Sequence, residues 1–137
     1  MREALEEGRR ALPGCLPNPP VGCVLVRAGV IVGRGYTQPP GGPHAEAMAL
    51  QLLNGDLSDV TAYVTLEPCS FHGRTPSCAE ALIRRGVRKV VVARVDPDKR
   101  NDGKGIELLR AAGVEVIMGV LEREATIDMR PYLVSAS

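Results

Sequence analysis

The chain has 137 residues, 45% of them apolar and 24% charged, with a formal net charge of +1. That length suits one globular domain with a single core. A near-neutral charge and only four aromatic side chains (Tyr36, Tyr63, Phe71, Tyr132) argue against a nucleic-acid binder, which needs a basic field and stacking platforms. No apolar run approaches the roughly eighteen residues of a membrane span, and the charged start Met1 to Arg10 does not read as a secretion signal. A cytoplasmic protein is expected, whose four cysteines serve as metal ligands and core thiols rather than disulfides.

In chain order, Arg2 to Leu12 sets Ala4, Leu5, Ala11 and Leu12 among charges, an amphipathic helix that Pro13-Gly14 stops. Pro17-Asn18-Pro19-Pro20 is a stiff loop, because proline fixes φ and steers the preceding residue away from helix. Val21 to Val26 and Val30 to Tyr36 are β-branched runs joined by Arg27-Ala28-Gly29, a hairpin. After a Gly/Pro loop, His44 opens a helix that runs to about Leu53. Thr61 to Leu66 reads as a buried strand, and a cysteine-bearing loop leads to a helix from Ser77 to Arg85. Strand Lys89 to Val95, helix Gly105 to Ala112, strand Val114 to Met118 and helix Leu121 to Arg130 complete the pattern. The tail from Leu133 is expected to fray or to pack against a neighbour. A hairpin followed by strand–helix alternation predicts an α/β fold with a mixed sheet covered by helices.

The chemistry lies in His44-Ala45-Glu46, followed by Pro68-Cys69 and, eight intervening residues later, Cys78. One imidazole and two thiolates are good zinc ligands, and a three-residue set leaves a coordination position open for water. His44 and Cys78 fall at helix starts, and Cys69 just after a strand end where Pro68 fixes the turn. Helix starts favour thiolate over thiol. Zinc would bring its bound water's pKa from about 16 to about 7. Glu46 is placed to carry protons between that water, a ring nitrogen and a departing amine. The order H-x-E then P-C…C is that of zinc deaminases acting on nucleobases. The competing reading is a closed structural zinc site with Cys15, Cys23 or His72 as fourth ligand. Cys23, mid-strand among Val and Leu, suits core packing better, while Cys15 in its loop stays open. Gly103-Lys104-Gly105 before a helix could bind an anion, though such a loop needs no ligand. The cluster Arg84, Arg85, Arg88 and Lys89 reads as a solvated helix end.

The segments Pro17-Asn18-Pro19-Pro20-Val21-Gly22-Cys23-Val24, Gly41-Gly42-Pro43-His44-Ala45-Glu46, Tyr63-Val64-Thr65-Leu66-Glu67-Pro68-Cys69-Ser70, Gly73-Arg74-Thr75-Pro76 and Asp96-Pro97 together resemble the deaminase domain of the bacterial riboflavin-biosynthesis deaminase/reductase. The likeness runs from about residue 2 to residue 117. In the tRNA-adenosine and nucleoside deaminases of the same superfamily the two cysteines are usually two residues apart, and the eight-residue spacing with G-R-T-P looks like the riboflavin branch. The resemblance implies a cytidine-deaminase-like three-layer α/β/α sandwich with a mixed five-stranded sheet. It implies His44, Cys69 and Cys78 as zinc ligands and Glu46 as proton shuttle. It places Asn18 on the pyrimidine edge, Arg74 on a substrate phosphate, and Asp96, Phe71 and His72 among the substrate contacts.

Two positions depart from that family. Phe71, with His72 after it, stands where the family usually has histidine, and Asp98 stands where it usually has asparagine. An acid near a phosphate is unfavourable unless it turns away or pairs, for instance with Lys99 or Arg100. Residues 1–137 are expected to be a single zinc-dependent deaminase domain without a reductase domain, acting on a small heterocyclic substrate. The first candidate is the diaminohydroxyphosphoribosylaminopyrimidine of riboflavin biosynthesis. Alternatives are a nucleoside or nucleobase deaminase of salvage or secondary metabolism and, from another class, a non-catalytic zinc-stabilised binding module. Expected partners are further copies of the chain, as a homodimer or homotetramer, and a separate reductase. Neither a membrane nor nucleic acid is expected.

Overall fold

A computed structural model of the chain describes residues 1–71 and 76–133. Its elements follow the expected order: α1 (Arg2–Arg10), β1 (Gly22–Arg27), β2 (Val30–Tyr36), α2 (Ala45–Leu50), β3 (Val60–Val64), α3 (Cys78–Arg84), β4 (Lys89–Val92), α4 (Lys104–Ala111), β5 (Glu115–Met118) and α5 (Glu122–Met129), with a 3-10 turn at Arg130–Tyr132. Ala28 and Gly29 both take positive φ, which a two-residue hairpin turn requires, and Arg27 pairs directly with Val30.

The five strands form one mixed sheet in the order β2-β1-β3-β4-β5. β1 is antiparallel to both β2 and β3, while β3, β4 and β5 run parallel. Alternation along the strands sends side chains to two layers. On one face Cys23 and Leu25, Ala62 and Val64, and Val90 and Val92 pack with Ala49 of α2, Leu82 of α3 and Leu109 of α4. On the other face Leu5 of α1, Leu66, Ala93, and Ala125 and Met129 of α5 form a smaller core. This is the expected three-layer sandwich. Leu133 packs against the second core, so the tail is tied down at least that far rather than frayed.

Close approach of helix to strand needs glycine at particular places. A Cβ on Gly35 in β2 would collide with the Ala45 carbonyl of α2, and the Ala49 amide would lie 2.7 Å from it. The start of α2 therefore lies directly on β2, and it carries His44 and Glu46. Likewise a Cβ on Gly105 would overlap the Pro68 carbonyl, so α4 begins against the peptide that leads into Cys69.

Three expected elements end early, for backbone reasons. After Leu50 the chain switches to i→i+3 bonds, Leu52 to Ala49 and Leu53 to Leu50, so the helix tightens into turns. Arg85, read as part of a solvated face, instead donates to the carbonyls of Leu50, Leu53 and Gly55 and satisfies that frayed end. β3 and β4 stop at Val64 and Val92, yet their pairing continues through Ala93 N–H to Val64 O and Glu67 N–H to Arg94 O, both 3.0 Å.

Glu67 is the hub of this region, a role its sequence position did not advertise. Its buried carboxylate accepts from the backbone N–H groups of Asp96 (3.1 Å), Gly103 (2.9 Å) and Ile106 (3.0 Å). The positive end of α4, which resembled an anion site in sequence, is thus filled by the protein's own carboxylate. The fully buried Asn101 adds a second tie: its amide donates to Pro68 O at 3.2 Å and its carbonyl accepts from Gly105 N–H at 3.2 Å. Glu67→Ala leaves three N–H groups without this acceptor. It should cost on the order of 3 kcal/mol of stability, read from denaturant unfolding. A change within a few tenths of a kcal/mol would show that water replaces the carboxylate freely.

Candidate metal centre and active site

His44 is the N-cap of α2, with extended φ −71° and ψ 167°, and that backbone turn directs its ring away from the helix axis. Cys78 is the first residue of α3, whose N-cap Ser77 accepts from the Glu80 N–H at 3.2 Å. Cys69 follows the buried Pro68 on the segment that leaves β3. Three segments distant in sequence therefore bring one nitrogen and two sulfurs within 4.8 Å of one another. His44 Nδ1 lies 3.8 Å from Cys69 Sγ and 3.4 Å from Cys78 Sγ. Zinc–sulfur bonds of about 2.3 Å and zinc–nitrogen bonds of about 2.0–2.1 Å on tetrahedral axes call for N···S separations of about 3.5 Å, which these two values bracket. The donor set fits zinc in charge and in spacing. Neither Cys15 nor Cys23 joins the cluster: both are buried free thiols, Cys23 within the main core. Among the described residues, no fourth protein ligand closes the site.

Electrostatics favour this set. Cys69 is held well below the ordinary thiol range, chiefly by a hydrogen bond from Cys78, then by His44 and by the Cys78 peptide N–H at 3.2 Å. Cys78, donor in that pair and buried, is pushed up. The Cys69 thiolate in turn raises the His44 imidazole to about 9. Glu46, in the first turn of α2 and only 4% exposed, is raised to about 7, first by burial and then by the Cys69 charge. A carboxyl held near neutrality can both accept and return a proton.

Two concavities adjoin the cluster. The smaller, about 430 Å³, is lined by Asn18, His44, Glu46, Cys69, Phe71 and Asp96, together with Thr37, Asp98, Arg100, Tyr132 and Leu133. The larger, about 940 Å³, runs between α2 and α3 past His44, Cys69 and Cys78 but does not reach Glu46. We assign the chemistry to the smaller, because there His44, Cys69 and Glu46 share one space of substrate size. Of the residues expected around the substrate, Asn18, Phe71 and Asp96 line it, whereas His72 and Arg74 lie outside the described residues. Asp96 is raised by burial and accepts from the Asp98 N–H at 3.0 Å. Asp98 is not a bare charge: Arg100 pairs with it at 2.6 Å and holds it down at about 2. Sequence reading missed Tyr132 and Leu133, which the end of the chain brings to the cavity from far along the sequence; nothing local marks them.

A model of the cytidine and deoxycytidylate deaminase zinc-binding region matches residues 1–94. The riboflavin biosynthesis protein RibD of Aquifex aeolicus is 50% identical over 125 residues, covering 91% of this chain and 35% of that protein. Among solved structures, Acinetobacter baumannii RibD superposes with a TM-score of 0.90 at 44% identity, over 96% of this chain and 37% of that one. A Thermotoga maritima diaminohydroxyphosphoribosylaminopyrimidine deaminase/5-amino-6-(5-phosphoribosylamino)uracil reductase superposes with a TM-score of 0.91 at 41% identity, over 96% and 38%. The chain thus spans about a third of the length of the curated relatives it matches. With the fold, the ligand cluster and the matched region in agreement, the chain belongs to the cytidine and deoxycytidylate deaminase zinc-binding family, in its RibD deaminase-domain branch.

Proposed function

We propose that the chain is a zinc-dependent hydrolytic deaminase whose substrate is the diaminohydroxyphosphoribosylaminopyrimidine for which the Thermotoga relative is named. One observation carries this reading: of the His/Cys/Cys cluster, His44 and Cys69 border the same cavity as Glu46, a buried carboxyl raised to about 7. His44, Cys69 and Cys78 would hold the metal. Zinc bound there would supply an acidified water as the nucleophile. Glu46 would carry one proton of the attacking water to the ring nitrogen and the second, from the hydroxyl left on the carbon, to the amine as the C–N bond breaks. Ammonia leaves and a carbonyl replaces the amine, so one side chain serves both halves of the reaction. Asn18 carries a donor and an acceptor together, which suits a pyrimidine edge. Arg74, by the family pattern, would face the phosphate.

Residues 1–137 would be a deaminase unit, and the reductive chemistry of the relatives' names would lie outside that span. Assembly as a homodimer or homotetramer belongs to the same proposal and would appear in sedimentation velocity at micromolar concentration; a monomer there would refute it. Among the described residues no helix is long and apolar enough to cross a membrane.

The metal reading makes a measurable demand. In the metal-free site at pH 7, His44 with a pKa of about 9 holds a proton and so does the raised Cys78 thiol, whereas zinc requires both to be lost. Zinc uptake at pH 7 should release about two protons, and apparent affinity should climb by about a hundredfold per pH unit from 7 to 8 and less steeply as pH approaches 9. Calorimetry in buffers of different ionisation enthalpy checks the count. Cys69→Ala and Cys78→Ala should each lose the metal by elemental analysis. Full zinc retention by both would sink the ligand assignment.

Glu46→Gln should keep fold and zinc while ammonia release from the proposed substrate falls by several orders of magnitude. A near wild-type rate would require another base. Higher activity on a free nucleoside or base than on the phosphorylated pyrimidine would reject the substrate but keep the deaminase. Zinc without ammonia release from any of these would favour a non-catalytic module.

A further inference from the structure

Phe71 and Arg100, like His44 and Cys69, line both concavities, whereas Asn18, Glu46 and Asp96 line only the smaller, so these two side chains belong to the boundary between them. The Arg100 guanidinium carbon lies 4.6 Å from the centroid of the Phe71 ring. Its Nε and Nη2 donate to Asp98 Oδ1 and Oδ2 at 3.1 and 2.6 Å, and its backbone N–H donates to Asp98 Oδ1 at 2.9 Å. Asp98 is anchored in turn, since its N–H donates to Asp96 Oδ1 at 3.0 Å, and Asp96 Oδ2 accepts from the fully buried Asn101 at 3.4 Å. A relay of contacts therefore runs from the core, through Asp96 and Asp98, to the arginine on the aromatic ring.

As a bare surface pair, Asp98 and Arg100 would contribute little. Two features set this pair apart. The fork-to-carboxylate bonding fixes the plane of the guanidinium, and its flat face rests on an aromatic ring that borders the cavity holding Glu46. Phe71 and Asp98 are thus the two partners of one arginine.

We propose that Arg100 is a positioning residue: braced by Asp98, it holds the Phe71 ring as the wall against which a planar heterocyclic substrate packs. This rests on the deaminase reading and names how that site sets its substrate affinity. An aromatic wall recognises a heterocycle by stacking, with no demand on its hydrogen-bonding edge. The arginine acts through the ring rather than by touching the substrate.

Phe71 is the only phenylalanine in the chain, so ring-labelled phenylalanine gives one signal from the zinc-loaded protein without assignment. Arg100→Ala and Asp98→Asn should each move or broaden that signal with no substrate present. Arg100→Ala should raise KM about two- to fivefold, the scale of an exposed cation–π contact, with kcat moved less. Arg100→Lys should recover part of the loss, because an ammonium still attracts the ring but cannot make the fork. In a Phe71→Ala background, Arg100→Ala should cost nothing further. An unmoved ring signal would overturn the proposal, as would an undiminished KM penalty in the Phe71→Ala background, which would mean direct contact between Arg100 and substrate. A wild type that releases no ammonia would reject the deaminase reading, while the ring signal still judges the bracing of Phe71 by itself.

Discussion

Convergence of three separate chain segments on one small volume is the constraint from which the rest of the molecule follows. His44 comes from the start of a helix lying on an edge strand, Cys69 from the segment beyond a central strand, and Cys78 from the start of the next helix. Tetrahedral coordination tolerates errors of a few tenths of an ångström in the distances between such ligands. Each approach is accordingly enforced by backbone packing that a flexible side chain could not supply. Gly35 lets α2 lie against β2, and Gly105 lets α4 begin against the Pro68 carbonyl. The ligand set is built by close backbone contact first and by side-chain chemistry second.

The same region shows why a buried carboxylate can be structural beside another that is catalytic in character. Glu67 and Glu46 are both buried, at 3% and 4% exposure. Glu67 accepts three backbone N–H groups, so both of its oxygens are engaged in holding the loop and the start of α4. Glu46 lies against a thiolate in a desolvated pocket, an arrangement that discourages its charge and brings it to about 7. Two glutamates of similar burial thereby take opposite roles, and the difference lies in what their oxygens face. The surroundings of Glu67 also account for the glycine-lysine-glycine turn at the start of α4, whose N–H groups are already engaged.

Charge at the cavity mouth is arranged with comparable economy. Asp98 looked like an unwelcome acid near a phosphate, and its bonding to Arg100 removes most of that objection. The pair leaves the rim closer to neutral and at the same time lays a flat cation on Phe71.

Much was legible in one dimension because the signals are local or covalently spaced. Strand and helix order follows from β-branched runs and from proline and glycine punctuation. The metal cluster could be named from H-x-E and P-C-x8-C, because each ligand's position relative to a helix start or strand end is set within a few residues. What sequence could not supply was everything that depends on where the chain returns to itself. Arg85 reads as a surface cation until the frayed end of α2 is found beneath it, and Glu67 as one more motif residue until the start of α4 arrives above it. Tyr132 and Leu133 become cavity residues only because α5 packs on the second face of the sheet. The sequence by itself determined the order of the elements and the residues of the His/Cys/Cys cluster, all consequences of residue type and short-range spacing. Only the tertiary structure decided which polar groups face each of them, so that Glu67 caps a helix and Arg100 lies over the Phe71 ring, because burial and through-space contact have no local signature in the chain.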